Sequence, residues 1–288
     1  MKHRVLLASI LPLLAAAVLM ASPAGQHSYL VTVIADGGEP VTALTAADFT
    51  VTEGSTPLRV VSVEHSPFPL IVSVLVDTTR PGPNMESPAR ELRTAVSGFV
   101  EAVRAAGGTP RIALVEVGSA AITKAGFDAP YAELDDAIQK IYPAHPSDAV
   151  MLEAIGAAAR SMSTAETPRR AIVTIDFNSS ESLTEGTMKT VTSDLSASGA
   201  TVWSVSVRLP RSGGSRREGA LNLITKNTGG LRQVAGAASG LPVLLKRVAD
   251  SLASQYIVTF ERTADGAPRT IEMTTASGLK VHVSPMRR

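Results

Sequence analysis

Two apolar segments, LIVSVLV (residues 70–76) and AIVTI (residues 171–175), limit most strongly what this chain can fold into. Each is rich in Val or Ile, and each ends at an aspartate, Asp77 or Asp176. Successive side chains of a strand point to opposite faces, so strands of this kind need apolar cover on both sides. Such cover is typical of central strands in a parallel sheet that has helices on both faces.

Strand and helix patterns alternate between residues 67 and 254. The segment 85–106, for example, places Leu92, Val96 and Phe99 at helical spacing. Strands joined by helices indicate a parallel sheet, and a chain of 288 residues is long enough to bury its core. We therefore predict an α/β domain over residues 67–254, with a doubly wound, mostly parallel, Rossmann-like sheet.

The two flanks of this domain, residues 25–66 and 255–288, have a different pattern. Short segments alternate apolar and polar residues with period two, and turns rich in Gly, Pro and Asp separate them. This pattern predicts antiparallel strands. Neither flank has enough strands to be stable alone, so we expect the two flanks to pack together as one β unit.

Residues 1–24 have the pattern of a secretory signal peptide. A basic start, MKHR, precedes a 16-residue apolar run, and Ser22 and Ala24 suit a cleavage site after Ala24. The alternative is an uncleaved anchor helix, but the run is shorter than the roughly 20 residues that span a bilayer, and Pro12 interrupts it. We expect a secreted or periplasmic product. It has no cysteine, and a core of this size needs no disulfide.

The charge and the motifs of the chain argue against several functions. A net charge of +1 gives no indication of nucleic-acid binding, and no second apolar run approaches the length of a membrane span. The sequence has no Gly-x-Ser-x-Gly and no phosphate-binding glycine loop, and its five histidines lack metal spacing. Among them, only His145 is expected near the carboxyl edge of the sheet. We expect no enzyme.

The order of the segments resembles a known family. The segments VTALTAADFTVTEGSTPLRVVSVE and LIVSVLVDTT, with the ending SQYIVTFERTADGAPRTIEMTTASGLKVHVSP, resemble exported bacterial proteins, common in acidobacteria, that are called VWFA-related. The resemblance covers nearly all of the chain after residue 24. It implies a von Willebrand factor type A (VWA) domain and a metal-ion-dependent adhesion site.

The ligand pattern implied by this resemblance is kept only in part. The family pattern is Asp-x-Ser-x-Ser, a later Thr and a later Asp. Asp77, Thr79 and Asp176 match three of these five positions, whereas Pro81 and Ala149 replace the other two. Such oxygen ligands suit hard divalent cations. Asp77, Thr79 and Asp176 are therefore candidate ligands of a degenerate site for Mg²⁺, or for Mn²⁺ or Ca²⁺.

Arg80 offers an alternative to the metal ion. Two carboxylates in one crevice repel each other unless a cation or a proton lies between them. A cluster of Asp77, Arg80 and Asp176 would meet this requirement without an ion. Each of the two carboxylates also has a simpler interpretation, because Asp77 can cap a strand end and Asp176 can form an Asx-turn.

Loops at the carboxyl ends of parallel strands form a common surface. We call this surface the rim, and it comprises residues 77–83, 145–149, 176–182 and 208–219. The last of these segments, RLPRSGGSRREG, is predicted to be an exposed loop whose arginines bind an acidic partner, or are simply solvated. The candidate partner-binding residues are Arg80, Asp148, Arg211, Arg216 and Arg217.

These features predict an exported module that binds a protein or a cell-envelope ligand through the rim. The alternative is a structural subunit of an envelope assembly that uses its β flanks and holds no metal.

Overall fold

The structure is a computed structural model that describes residues 25–80, 87–144, 149–177, 181, 184–208, 216–262 and 270–285. The predicted signal peptide therefore lies outside the described residues. The described chain forms a six-stranded sheet and two smaller antiparallel sheets, which confirms the predicted α/β class. None of its helices has the length and apolarity that a membrane span requires.

The strands are, in chain order, β1 (Gln26–Ile34), β2 (Phe49–Glu53), β3 (Thr56–Leu58), β4 (Val60–His65), β5 (Ile71–Asp77), β6 (Arg111–Val117), β7 (Ala121–Ala125), β8 (Arg170–Asp176), β9 (Thr201–Val207), β10 (Arg232–Ala235), β11 (Tyr256–Glu261), β12 (Ile271–Thr275) and β13 (Lys280–Pro285). The α-helices are α1 (Ala89–Ala105), α2 (Tyr131–Gln139), α3 (Met151–Ser161), α4 (Glu185–Ser198), α5 (Arg216–Thr228) and α6 (Leu241–Ala253). Short 3₁₀ turns occur at Ala46–Asp48 and Ala238–Gly240.

The central sheet has the strand order β10-β9-β8-β5-β6-β7. Its strands are parallel except for β7, which forms an antiparallel hairpin with β6. Every residue of β5, β8 and β9 is buried, as expected for strands that are apolar on both faces. The carboxyl ends of the five parallel strands consequently meet at one edge of the sheet.

Helices cover both faces of this sheet. Alternate residues of β5 divide between two cores: Val74 belongs to the core under α1, α2 and α6, and Leu75 belongs to the core under α3, α4 and α5. In the first core, Phe99 of α1 is fully buried. This two-sided cover is what the apolar runs require.

The two small sheets each contain strands from both ends of the described chain. In one, β1 pairs with β11 and β13, and β11 also pairs with β4. In the other, β2 pairs with β12 and β3. A separate core fills the space between them and includes Val31, Phe49, Val258 and Phe260. Burial of this core gives the flanking strands the stability that neither flank has alone.

Arg169 fastens the connections between the central sheet and the small sheets. Its Nη1 donates to the carbonyl of Phe68 at 2.8 Å, and its Nη2 donates to the carbonyl of Leu252. Its Nε donates to the side-chain oxygen of Gln255 at 3.3 Å. Burial lowers the pKa of Arg169 to about 10. This arginine lies just before β8, at the edge of the sheet opposite to the rim.

Two helix starts differ from the sequence interpretation. The sequence predicts that the helix after β9 begins near Glu218, but α5 begins at Arg216. Glu218 lies in its first turn, where a carboxylate interacts favourably with the helix dipole. The sequence also predicts that Ser147 or Asp148 caps α3. Both residues lie outside the described residues, and α3 begins at Met151.

Two glycines provide a test of the packing. A Cβ added at Gly230 would lie 1.9 Å from the carbonyl oxygen of Val202, whereas one added at Gly98, inside α1, would meet no atom within 4 Å apart from the neighbouring residues and backbone of its own helix. Gly230→Ala should therefore lower the free energy of unfolding by roughly 2 kcal/mol or more, because the backbone must move. Gly98→Ala should raise it by about 0.5–1 kcal/mol. Chemical denaturation measures both, and equal effects would contradict this packing.

Candidate functional site

Asp77 lies at the rim end of β5, and its side chain is fully buried. Its Oδ1 accepts hydrogen bonds from the backbone N–H of Thr79 at 2.9 Å and from the Thr79 hydroxyl at 2.5 Å. Its Oδ2 lies 3.5 Å from the backbone nitrogen of Phe177. The structure thus brings together Asp77 and Thr79, and in it the threonine hydroxyl donates to the carboxylate.

Asp176 occupies the corresponding place at the end of β8. The register pairs Val76 with Ile175, so Asp77 and Asp176 follow at neighbouring strand ends. Asp176 is buried, and its Oδ2 accepts a hydrogen bond of 2.6 Å from the hydroxyl of Ser206 on β9. Two buried carboxylates at adjacent strand ends need positive charge or hydrogen-bond donors nearby.

Arg217 supplies positive charge beside Asp77. Its side chain is 0% exposed, and its Nη1 lies 3.4 Å from Oδ2 of Asp77. Its Nε donates to Oε2 of Glu181 at 2.8 Å, and its Nη2 donates to the carbonyl of Ala149. The guanidinium therefore contacts two carboxylates and a backbone carbonyl inside the protein.

This position of Arg217 corrects two expectations. The sequence predicts that Arg217 lies on an exposed loop as a partner-binding residue, but its side chain is buried under the first turn of α5. The sequence also suggests Arg80 as the cation between the carboxylates, but Arg80 is exposed. The physical reason is that α5 begins before Arg217 and directs this side chain inward, towards buried carboxylates that need a cation.

Glu181 belongs to the site, although it is not among the residues predicted from the sequence. Its Oε1 accepts the backbone N–H of Leu152 at 3.0 Å, and its Oε2 accepts from Arg217. Burial raises the pKa of the Glu181 carboxyl, although the charge of Arg217 and the hydrogen bonds oppose this effect. The sequence holds no signal for this role except its place in the segment after Asp176.

The described residues do not fit a divalent cation beside Asp77. Oδ1 of Asp77 already accepts two hydrogen bonds, and Oδ2 faces the guanidinium of Arg217. Within the described ranges, no group of three or more His, Asp or Glu side chains is arranged to hold a metal ion. An ion at this place would have to displace a buried positive charge.

The remaining positions discussed from the sequence are divided between described residues and residues outside the described ranges. Arg216 is exposed at the start of α5, and Ala149 is buried and lies before α3. Outside the described residues lie Pro81, His145, Asp148 and Arg211.

Comparisons with known proteins support the fold alone. No protein-family model matches the chain, and no curated protein matches it in sequence. Among solved structures, a von Willebrand factor type A protein from Catenulispora acidiphila aligns with a TM-score of 0.51 and 10% identity, over 92% of this chain and 74% of that protein.

Proximal thread matrix protein 1 from the mussel byssus also aligns with a TM-score of 0.51, at 18% identity over 66% of this chain. A second structure of that protein, at 14% identity and the same TM-score, has a zinc-occupied MIDAS motif. The chain spans about half the length of the mussel protein, at 49%. These likenesses confirm the VWA-type fold, and they show that a protein of this fold holds a metal ion.

The raised pKa of Glu181 gives a prediction for the pH dependence of stability. The folded protein keeps a proton on Glu181 at pH values where the unfolded chain has lost it, so stability should fall as the pH rises from the ordinary value of 4.5 through the folded pKa. Glu181→Gln removes this titration. The free energy of unfolding of the wild type, minus that of the variant, should decrease as the pH rises.

Equilibrium denaturation over a pH series measures this difference. Glu185→Gln is the control, because Glu185 is exposed at the start of α4. A difference between the wild type and Glu181→Gln that stays constant or increases with pH would contradict the prediction.

Proposed function

We propose, from its VWA fold and the arrangement of its rim, that this protein is an exported module that binds a protein or a cell-envelope ligand and catalyses no reaction. The observation that carries the proposal is the buried cluster of Asp77, Arg217 and Glu181. It links three segments of the rim from within. Because the charges of this cluster are satisfied internally, the described residues of the rim that it joins are held in place before a partner arrives, which lowers the entropic cost of binding.

Exposed side chains around this cluster have the chemistry of a binding surface. Arg80, Arg208 and Arg216 are exposed on segments at the carboxyl ends of the strands. Tyr142 is 56% exposed, and it lies beside the rim because the N–H of Ala144 donates to the carbonyl of Thr78. Arginine and tyrosine are enriched at protein interfaces, and arginine forms paired hydrogen bonds with carboxylates. We therefore expect a partner that presents acidic groups.

The divalent ion takes no part in this proposal. If one were bound, Asp77, Thr79 and Asp176 would be its ligands, with Mg²⁺, Mn²⁺ or Ca²⁺ as the ion that suits such oxygens. The guanidinium of Arg217 contacts Asp77 and disfavours an ion at that position.

One observation favours the alternative, a structural subunit that uses its β flanks. Strand β4 is at the edge of its four-stranded sheet. Arg59 precedes it with a side chain that is 74% exposed, and Val61 on the strand is also exposed. An exposed edge strand is a place where another chain can pair.

A capture experiment with an envelope extract separates these two functions. The rim variant carries Arg80→Ala, Tyr142→Ala and Arg216→Ala, and the flank variant carries Arg59→Ala and Val61→Ala. All these side chains are exposed, so both variants should fold. We expect the rim variant to recover roughly tenfold less partner, as the loss of a few interface residues predicts, and the flank variant to recover as much as the wild type. The reverse result would identify the alternative function and overturn the proposal.

Export is tested by the mass of the mature protein. If residues 1–24 are a cleaved signal peptide, expression in a bacterium with an intact secretion pathway should yield a product that begins at Gly25. Intact-mass spectrometry of the periplasmic and extracellular fractions measures this. A product that keeps residues 1–24 and stays with the membrane would contradict the proposed cleavage.

A further inference from the structure

We infer that the guanidinium of Arg217 occupies the place in which this fold can hold a divalent ion, so that the guanidinium and an ion exclude each other there. The inference concerns the protein without its partner, so its test does not depend on the proposed function.

The donor set at this place is that of a hard-cation site. The carboxylates of Asp77 and Asp176 end neighbouring strands, and the hydroxyl of Thr79 is next to Asp77. Carboxylate and hydroxyl oxygens are suitable ligands for Mg²⁺ and Mn²⁺. By its chemistry alone, the set of residues would attract such an ion.

Arg217 reaches the same place from α5 and contacts the segments that an ion would join. Its Nη1 faces Oδ2 of Asp77, at the end of β5. Its Nη2 donates to the carbonyl of Ala149, where the resemblance to the VWA family expects a threonine ligand. Its Nε donates to Glu181, in the segment after β8. One side chain thus connects three rim segments, as a metal ion does with its ligands.

The charge of the site explains why an ion is excluded. Arg217 and Asp77 are both fully buried, so their charges are little screened by solvent. The guanidinium of Arg217 is a positive group held in this place by Glu181 and by the carbonyl of Ala149. A divalent ion beside Oδ2 of Asp77 would lie within a few ångströms of this positive group and would be repelled.

The experiment measures Mn²⁺ binding by electron paramagnetic resonance and melting temperature in millimolar Mn²⁺ and in EDTA. The purified wild type should show no saturable Mn²⁺ binding and the same melting temperature in both. Arg217→Gln, which removes the charge, should have a lower melting temperature in EDTA than the wild type has. It should also gain saturable Mn²⁺ binding, with a rise of roughly 5 °C at about 100-fold excess over the Kd.

Two further variants make the result specific. Arg216→Gln removes the same charge from the neighbouring exposed residue of α5, and it should show no saturable Mn²⁺ binding and the same melting temperature in Mn²⁺ and in EDTA. The double variant Asp77→Asn with Arg217→Gln removes a proposed ligand as well, and it should lose the Mn²⁺ binding that Arg217→Gln gains.

Three results would overturn the inference. One is saturable Mn²⁺ binding by the wild type that Asp77→Asn abolishes. Another is a folded Arg217→Gln variant that binds no Mn²⁺. If Arg217→Gln does not fold in EDTA, refolding in Mn²⁺ decides: recovery of the folded state supports the inference, and failure in both conditions overturns it.

Discussion

The contact between Arg217 and Asp77 is the interaction on which the rim depends. Asp77 ends a central strand, and its side chain has no exposed surface. Its charge therefore needs a positive group or hydrogen-bond donors inside the protein. Arg217 provides positive charge there, and the same guanidinium donates to Glu181 and to the carbonyl of Ala149. Helix α5 is thereby held against the end of β5 and against the segments that follow β8 and precede α3.

A half-buried arginine, Arg169, has a different role at the opposite edge of the sheet. Its acceptors among the described contacts are neutral: the carbonyls of Phe68 and Leu252 and the side chain of Gln255. It joins the connections that lead to the small sheets. The amino-end edge of the sheet therefore maintains the architecture. The rim presents exposed side chains above a buried ionic cluster, and this arrangement supports a binding role for that edge.

The apolar runs predicted the sheet because their physical requirement is local and strong. A segment such as LIVSVLV has apolar side chains on both faces of a strand, and a parallel sheet with helices on both sides buries them. Once the parallel sheet is established, Asp77 and Asp176 must end at the same edge. The positions of these two carboxylates therefore follow from residues within a few positions of each.

The sequence by itself thus determined the parallel sheet, the edge at which Asp77 and Asp176 lie, and the departure of Pro81 and Ala149 from the metal-binding pattern. It could not determine which cation faces Asp77. Arg216 and Arg217 are identical neighbours in sequence, yet one is exposed and the other is fully buried. Successive residues of a helix point about 100° apart, so the start of α5 decides which of the two faces inward. Asp77 is 140 residues from Arg217 along the chain, and only the tertiary structure brings the two together.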